Sequence, residues 1–343
     1  MPTETKRPTI QDVAKLAGVS IGSASNVLNR RLPVSDQLQT RVLAAAETLG
    51  FQINSVAQTL RRRSSRVLGF CTPDTRTAYL RELADSLDEI AGRNGYELVQ
   101  VLTRQEPARE LHCVNSLLSR QVDGLILLPS LSPQASLDAI ARAGTPAVVV
   151  DRLSEDKRFS HVIIDNRSAM RQVVNSLARS GHRRLLFIAQ NLGVITTRHR
   201  LAGLEEEARL PDVMVRYEVM ERGNDEPAFV ERVGRILKAQ DPPTAIVTGN
   251  SRVAISTIRA LQTLGLAWPR DVGLLTFEDP EWADILTPPI STVRTPNAAI
   301  AEAVWSSLES QMLGHPISRK TISILPDLII RESSSRFSKG LLE

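Results

Sequence analysis

From Val67 onward the chain alternates short apolar runs with segments of helical period, and few architectures accept that alternation. The runs are Val67–Phe70, Glu97–Val101, Gly124–Leu128, Ala147–Val150, Val162–Ile164, Leu185–Ile188, Ala245–Thr248, Gly273–Phe277 and Thr292–Val293. Amphipathic stretches separate them, among them Leu80–Arg93, Asn166–Ser180 and Ser251–Leu264. Strand and helix in alternation predict parallel sheets covered on both faces, and this many strands need two sheets.

Ligands in such folds bind beyond the carboxyl ends of the strands, so the residues after each run are the candidates. Thr72 to Arg76 and Tyr79 follow the first run. Asp151 and Arg152 follow Val150, Asp165 and Asn166 follow Ile164, and Asn250 follows Thr248. Glu278, Asp279 and then Trp282 follow Phe277. Polar groups gathered at strand ends line a cleft suited to a hydroxylated ligand. Asp165 and Asp279 read as helix caps rather than ligands, and Trp282 suits a sugar face or plain packing equally.

The first 66 residues differ in charge. Ten Lys and Arg stand against four acids there, a balance of +6. The whole chain is at +4, so the other 277 residues carry −2. A basic head on a near-neutral body implies a polyanionic partner for the head. Thr9 caps a first helix with Asp12 three residues on, and Ile10, Val13, Ala14 and Ala17 share one face until Gly18 ends it. After Val19, Ser20 caps a second helix with Ala24, Val27 and Leu28 inward. Ile21, Gly22, Ser25, Asn26 and Asn29 are left outside. A third helix from near Ser35 buries Leu38, Val42, Ala45, Ala46 and Leu49, and Gly50 closes it. Two short helices across a tight turn with a third behind is the helix-turn-helix arrangement, whose second helix enters the major groove.

Pro8 to Ser20, Ser25 to Asn29 and Arg41 to Phe51 resemble the headpiece of the lactose-repressor (LacI/GalR) family. Val150 to Arg152, Thr197 to Gly203, Thr248 to Asn250, Phe277 to Asp279 and Leu325 to Ser333 resemble that family's effector domain, so the resemblance covers essentially the whole chain. It implies a sequence-specific DNA-binding transcriptional regulator, a repressor by type. Its operator affinity would answer to a sugar or sugar acid bound between two lobes like those of periplasmic sugar-binding proteins. The implied fold is an all-α helix-turn-helix headpiece ahead of an α/β two-lobed core.

By that resemblance Ile21 and Gly22 lead the base-reading positions, and Ser20, Ser23, Ser25 and Asn29 match positions that touch phosphates or bases. Thr9 and Asn26 join this set. The family usually has Arg where Asn26 stands and Thr-Val where Ser23-Ala24 stand, so the operator should differ from the usual one. Residues 54–66 match the family's hinge helix and linker, the helix itself running from Ser55 to Leu60 with Asn54 as its cap. Leu60 matches the leucine that wedges into the minor groove, and Val56, Ala57 and Gln58 match its neighbours. A helix of that length orders only against a partner. In the core, Arg200 matches the effector-gripping arginine. Asp151, Asn250 and Glu278 match cleft residues, and Tyr79 matches the aromatic position of the first lobe. Glu278 stands where Asp is commoner.

The expected domains are residues 1–53 (headpiece), 54–66 (hinge and linker), 67–334 (effector-binding and dimerisation core) and 335–343 (tail). Lobe 1 takes about 67–163 and 291–325, and lobe 2 about 164–290 and 326–334. The crossovers fall near Ile164, Ile290 and Leu325. A homodimer on near-palindromic double-stranded DNA is expected, with the stripe Leu80, Leu83, Leu87 and Ile90 serving either as its interface or as plain core. The tail holds no leucine heptads, so a tetramerising coiled coil is not expected.

Other classes fit worse. There is no glycine-rich phosphate loop, no GxGxxG, no HExxH and no Gly-x-Ser-x-Gly, so no enzyme is expected. The five histidines and the distant Cys71 and Cys113 show no metal spacing, and neither metal nor cofactor is expected. No apolar run reaches the length of a membrane span, and residues 1–10 lack a secretory apolar stretch. A cytoplasmic location, with both cysteines buried and reduced, follows. A transport-type sugar-binding protein would not need the basic head, while a regulator controlled by a partner protein remains a rival within the class.

Overall fold

The computed structural model describes residues 8–28, 34–51, 64–315 and 320–335. The chain divides into two compact units, Met1–Ser65 and Arg66–Glu343. Asn29 and the hinge residues Asn54, Val56, Ala57, Gln58 and Leu60 lie outside the described residues.

In the first unit, α1 (Ile10–Ala17), α2 (Ile21–Leu28) and α3 (Asp36–Thr48) enclose a small core of Val13, Ala14, Ala17, Ala24, Val27, Val42, Ala45 and Ala46. The caps are those the sequence suggests. Thr9 Oγ1 accepts from the Asp12 amide at 3.4 Å while the Thr9 amide donates to Asp12 Oδ2 at 2.8 Å, a reciprocal box. Gly18 sits at φ 63°, where a Cβ is penalised. Arg41 of α3 donates to the carbonyls of Ala17 and Gly18 at 2.9 and 3.2 Å. A cation thus meets the negative end of α1 and ties the third helix to the turn.

The second unit holds two six-stranded sheets. The first contains β1 (Val67–Thr72), β2 (Glu97–Leu102), β3 (Gly124–Leu127), β4 (Ala147–Val150), β5 (Ser160–Ile164) and β11 (Thr321–Ile324). The second contains β6 (Arg184–Ala189), β7 (Arg216–Glu221), β8 (Ala245–Thr248), β9 (Gly273–Phe277), β10 (Ser291–Arg294) and β12 (Asp327–Ile329). The spatial orders are β11-β5-β4-β3-β1-β2 and β12-β10-β9-β8-β6-β7, the same topology twice. Every pairing is parallel except β10 with β12. The helices that cover the sheets are α4 (Ala78–Arg93), α5 (Pro107–Ser119), α6 (Gln134–Ala143), α7 (Asn166–Arg179), α8 (Ile195–Ala208), α9 (Glu226–Leu237), α10 (Ser251–Thr263), the short α11 (Trp282–Ile285) and α12 (Asn297–Met312).

All nine expected runs are strands, and β7, β11 and β12 are additional. Arg216–Glu221 is an edge strand with one buried residue, so its alternating pattern carries little apolar signal. The chain passes between sheets after Ile164, after Arg294 and between Ile324 and Asp327. The crossover expected near Ile290 is therefore displaced, because Ser291–Arg294 pairs with β9 and belongs to the second lobe.

The stripe Leu80, Leu83, Leu87 and Ile90 is core. All four pack with Phe70, Val148, Val304 and Trp305 inside the first lobe, so they are not available to a second subunit. Cys71 and Cys113 are free thiols buried in one apolar cluster, and burial pushes both thiol pKa values up. That keeps them protonated and unreactive.

Asp279 ties the second lobe together. Its carboxylate accepts from Thr292 Oγ1, Arg294 Nε and an Arg331 guanidinium nitrogen, each at 2.8 Å. Burial pushes its pKa up, but these three donors outweigh that and hold it below the usual range. Asp279 thus joins the end of β9 to β10 and the terminal segment, and it does not cap a helix. Asp279→Asn should cost about 3 kcal/mol at neutral pH, since Arg331 would be left nearly buried without its counter-charge. A depressed carboxylate contributes stability above its unfolded pKa of about 4 and loses it as pH falls through the folded value. Urea unfolding should therefore show the gap between variant and parent closing below about pH 4, and a constant gap would refute the ion-pair origin.

Candidate nucleic-acid interface and ligand cleft

In the headpiece, α2 turns Ala24 and Val27 into the core and leaves one polar face outside. Ser20 Oγ accepts from the Ser23 amide at 3.0 Å and lies 2.9 Å from Ser23 Oγ, which caps the helix start. Ser20, Ile21 and Gly22 are exposed, and Ser23, Ser25 and Asn26 are half-buried on the same short helix. Ile21 keeps 49% of its surface exposed, an apolar side chain in the first turn with no core to enter. Gly22 beside it leaves room for a base edge to approach the backbone. Thr9 is spent on its capping box, with its side chain still exposed at the N-terminus of α1.

In the larger unit, a cleft of about 520 Å³ runs between the lobes, lined by strand ends of both sheets. This is a usual size for a small-molecule site. Tyr79, Asp151, Arg200, Asn250 and Glu278 all line it. Trp282 does not. Its ring packs against the cluster of Leu186, Phe229, Leu274 and Ala283 and borders a separate groove with Thr75 and Arg81. Glu278 leaves β9 at φ 72°, and the following chain turns back onto the sheet, carrying Trp282 away from the cleft.

The two lobes present their acids in the same way. Asp151 directly follows β4, and Glu278 directly follows β9, the strand of equal position in the second sheet. Both have left-handed backbones, φ 66° and 72°. Each amide donates across to the next strand: Asp151 to the Val162 carbonyl at 2.9 Å, Glu278 to the Val293 carbonyl at 3.0 Å. A non-glycine residue held there costs about 1–2 kcal/mol, a strain that concentrates at functional sites. The longer Glu278 reaches back to Ser251, accepting from its hydroxyl at 2.5 Å and its amide at 3.2 Å.

Arg200 stands between these acids. Its Nε donates to Asn166 Oδ1 at 2.7 Å and one terminal nitrogen donates to the Gly249 carbonyl. Its guanidinium carbon lies 4.0 Å from the centre of the Phe277 ring. Burial lowers its pKa to about 10, against the pull of Asp151 and Glu278, so it remains a cation at neutral pH. Burial in turn raises the pKa of both acids, with Arg152 and Arg200 opposing this at Asp151, and Ser251 foremost at Glu278. Asn250 spends its side-chain oxygen on the cap of α10, accepting from Val253 N at 2.9 Å. The Tyr79 hydroxyl is buried facing Asp151 but makes no bond of hydrogen-bond geometry, and its pKa is raised, first by burial and then by that carboxylate. Asp165 caps α7, as expected of it.

The strand-end rule also reaches residues outside the expected set: Asn166 and Phe277, which fix Arg200, and Gln190, Asn191 and Arg252 at the cleft wall. Asn191 and Arg252 stand two residues beyond β6 and Asn250, so the same spacing argument could have found them. Arg222 and Asn224 could not be found that way, because β7 was not read as a strand.

A helix-turn-helix unit together with a two-lobed α/β domain around a polar cleft defines a class: transcription regulators that bind DNA and answer to a small molecule. The comparisons agree. Residues 9–54 match the model of bacterial regulatory proteins of the lacI family, and residues 174–334 match a periplasmic binding protein-like domain. The chain is 26% identical over 332 residues to the HTH-type transcriptional repressor PurR of Mannheimia succiniciproducens, covering 96% of this chain and 99% of that protein. It is also 26% identical over 328 residues to catabolite control protein A of Priestia megaterium, covering 95% and 99%. The fold matches a lac repressor dimer bound to operator and the anti-inducer ONPF, with TM-score 0.81, 23% identity and 96% and 100% of the two chains covered. It matches the CelR–cellobiose complex with TM-score 0.68, 23% identity and 95% and 100% coverage. The chain belongs to the lacI family of bacterial regulatory proteins, a family of DNA-binding transcription regulators with a ligand-binding core. No helix among the described residues is long and apolar enough to cross a membrane.

Proposed function

We propose that this chain is a cytoplasmic homodimeric repressor of a near-palindromic operator, controlled by a hydroxylated small molecule of the sugar or sugar-acid type. The observation that carries the effector reading is Arg200, fixed by Asn166, Gly249 and Phe277 between two strained acids from opposite lobes. A rigid planar fork facing carboxylates, an amide and a phenol suits vicinal hydroxyls. Tyr79 and Asp151 come from one lobe and Arg200, Asn250 and Glu278 from the other, so a ligand touching both favours one lobe arrangement. On this reading Ser20, Ile21, Gly22, Ser23, Ser25, Asn26 and Asn29 meet the major groove and its phosphates. Residues 54–66 form the hinge whose Leu60 enters the minor groove, and lobe closure changes the spacing of two such hinges. The domains are 1–53, 54–66, 67–334 and the tail, with the lobe boundary after Arg294. Similarity to the transcriptional repressor PurR supports a repressor role, and the sugar in the CelR complex supports the ligand class.

Fluorescence anisotropy of the full chain on the DNA upstream of its own gene, against scrambled DNA and at several salt concentrations, tests this. Selective binding with a steep salt slope is expected. Equal weak binding to both DNAs, with and without a panel of sugars and sugar acids, would overturn it. Substituting Ile21 or Gly22 should change which bases are preferred, by about 1–3 kcal/mol at the positions read. A uniform loss over all sequences would place the reading surface elsewhere.

A further inference from the structure

The cleft has five lining arginines, and four are already engaged by protein. Arg76 pairs with Asp74 at 3.0 Å. Arg152 donates to Gln105 Oε1 and the Pro129 carbonyl, both at 2.7 Å. Arg222 is held by Glu226, Ser256 and the Gly223 carbonyl. Arg200 gives two nitrogens to Asn166 and Gly249. Arg252, half-buried in the first turn of α10, makes no hydrogen bond or ion pair with any described residue. Its donors line a concave site and are spent on none of the described residues.

A second, independent feature also marks the cleft as built for a polar ligand. The Tyr79 hydroxyl, 8% exposed by residue, lines the same cleft without a hydrogen-bond partner. The 13-residue α10 begins at this wall with its own start already capped, the Ser251 amide by Glu278 and the Val253 amide by Asn250, which leaves Arg252 as the free donor there among the described residues. The acids near it are engaged, Glu278 with the Ser251 amide and hydroxyl at the start of α10, so the Arg252 guanidinium is, among the described residues, the unspent cation of that wall. Asp74 is taken by Arg76, and Glu221 accepts from the Leu192 amide at 2.6 Å.

We infer that the effector carries an anionic group, carboxylate or phosphate, and that Arg252 is the residue that selects it. This rests on the reading of the cleft as the effector site. Arg200 then grips the hydroxylated part, while Arg252 takes the charge. A planar guanidinium fork matches either anion.

The test is calorimetry of the full chain with matched probes: D-glucose, D-gluconate and D-glucose 6-phosphate, and the same three forms of D-galactose. An acid or phosphate of at least one set should bind 10-fold or more tighter than its neutral partner, and the two anions separate carboxylate from phosphate. Arg252→Gln should remove that preference, weakening the anion by about 10- to 100-fold and leaving the neutral sugar unchanged. Its thermal unfolding should match the parent closely, since the side chain makes no hydrogen bond or ion pair with any described residue and glutamine keeps most of its stem. Neutral sugars binding as tightly as their anions, or a preference surviving in Arg252→Gln, would overturn the inference. If those neutral-sugar heats vanish in Arg200→Ala, the cleft reading stands while this one falls. No heat with any probe counts against both.

Discussion

Arg200→Ala is expected to remove measurable effector binding while leaving operator binding intact. Charged hydrogen bonds contribute about 1.5–3 kcal/mol each, so losing two to a ligand weakens it by roughly 100-fold or more. The side chain also stacks on Phe277 and bonds Asn166 and Gly249, so some stability goes with it. That loss has a pH signature. Burial already holds Asp151 and Glu278 above the ordinary carboxylate range, and Arg200 pulls both back down. A carboxyl whose folded pKa is raised adds stability that is complete below its unfolded pKa and is lost as pH rises through the folded value. Removing Arg200 lifts both values further, so the deficit of the variant should be largest at neutral pH and shrink toward about pH 4. Thermal unfolding between about pH 4 and pH 8, with calorimetry at neutral pH, measures both effects. Retained ligand binding, or a deficit that grows on acidification, would sink the assignment of Arg200 as the cation of this cluster.

The sequence made some parts of this arrangement legible and hid others, for physical reasons. Strands buried on both faces, such as Gly273–Phe277 and Ala147–Val150, read as continuous apolar runs and could be placed. The edge strands Arg216–Glu221 and Thr321–Ile324 were missed because they are mostly solvated and polar in sequence, whereas the equally solvated edge strand Glu97–Leu102 was legible through Leu98, Val99 and Val101. Caps were legible because they act within four residues: Thr9 with Asp12, Ser35 with Leu38, Asp165 with Ser168. The cleft residues of the expected set do line one cleft, because strand ends of a parallel sheet converge whatever the loops do. Trp282 failed because proximity in sequence to Glu278 says nothing about direction after a left-handed residue. Asp279 failed as a cap because its partners Arg294 and Arg331 are 15 and 52 residues away. Its place beside a strand end was visible, but its ion pairs were not. The stripe on α4 shows the same limit: helical period identifies a buried face without saying whether a sheet or a second subunit covers it.

Gly203→Ala should be among the most damaging single changes in the core, although alanine is the better helix former by about 1 kcal/mol. Gly203 lies buried in α8 where it crosses α7. A Cβ there would clash with the Arg167 carbonyl oxygen and would lie 3.0 Å from its carbonyl carbon and 3.2 Å from its Cα. All three atoms are backbone, so no rotamer change can make room and the two helices must part. Overpacking of this kind costs about 3 kcal/mol or more, which outweighs the gain in helix propensity. Function should suffer with stability, because the same two helices build the cleft. Arg200 stands one turn before Gly203 on α8, and Asn166, its 2.7 Å acceptor, adjoins Arg167 at the start of α7. Separating the helices lengthens that bond and tilts the guanidinium, so effector affinity should fall by about 10-fold even in the fraction that folds. Gly92→Ala is the matched control: it lies in α4, exposed, with nothing within 4 Å of the added carbon. It should be neutral or stabilise by about 0.5 kcal/mol. Urea unfolding of both variants separates the explanations. Equal stabilities for the two would mean that α7 and α8 can move apart freely, and that the fixed seat of Arg200 does not depend on their close contact.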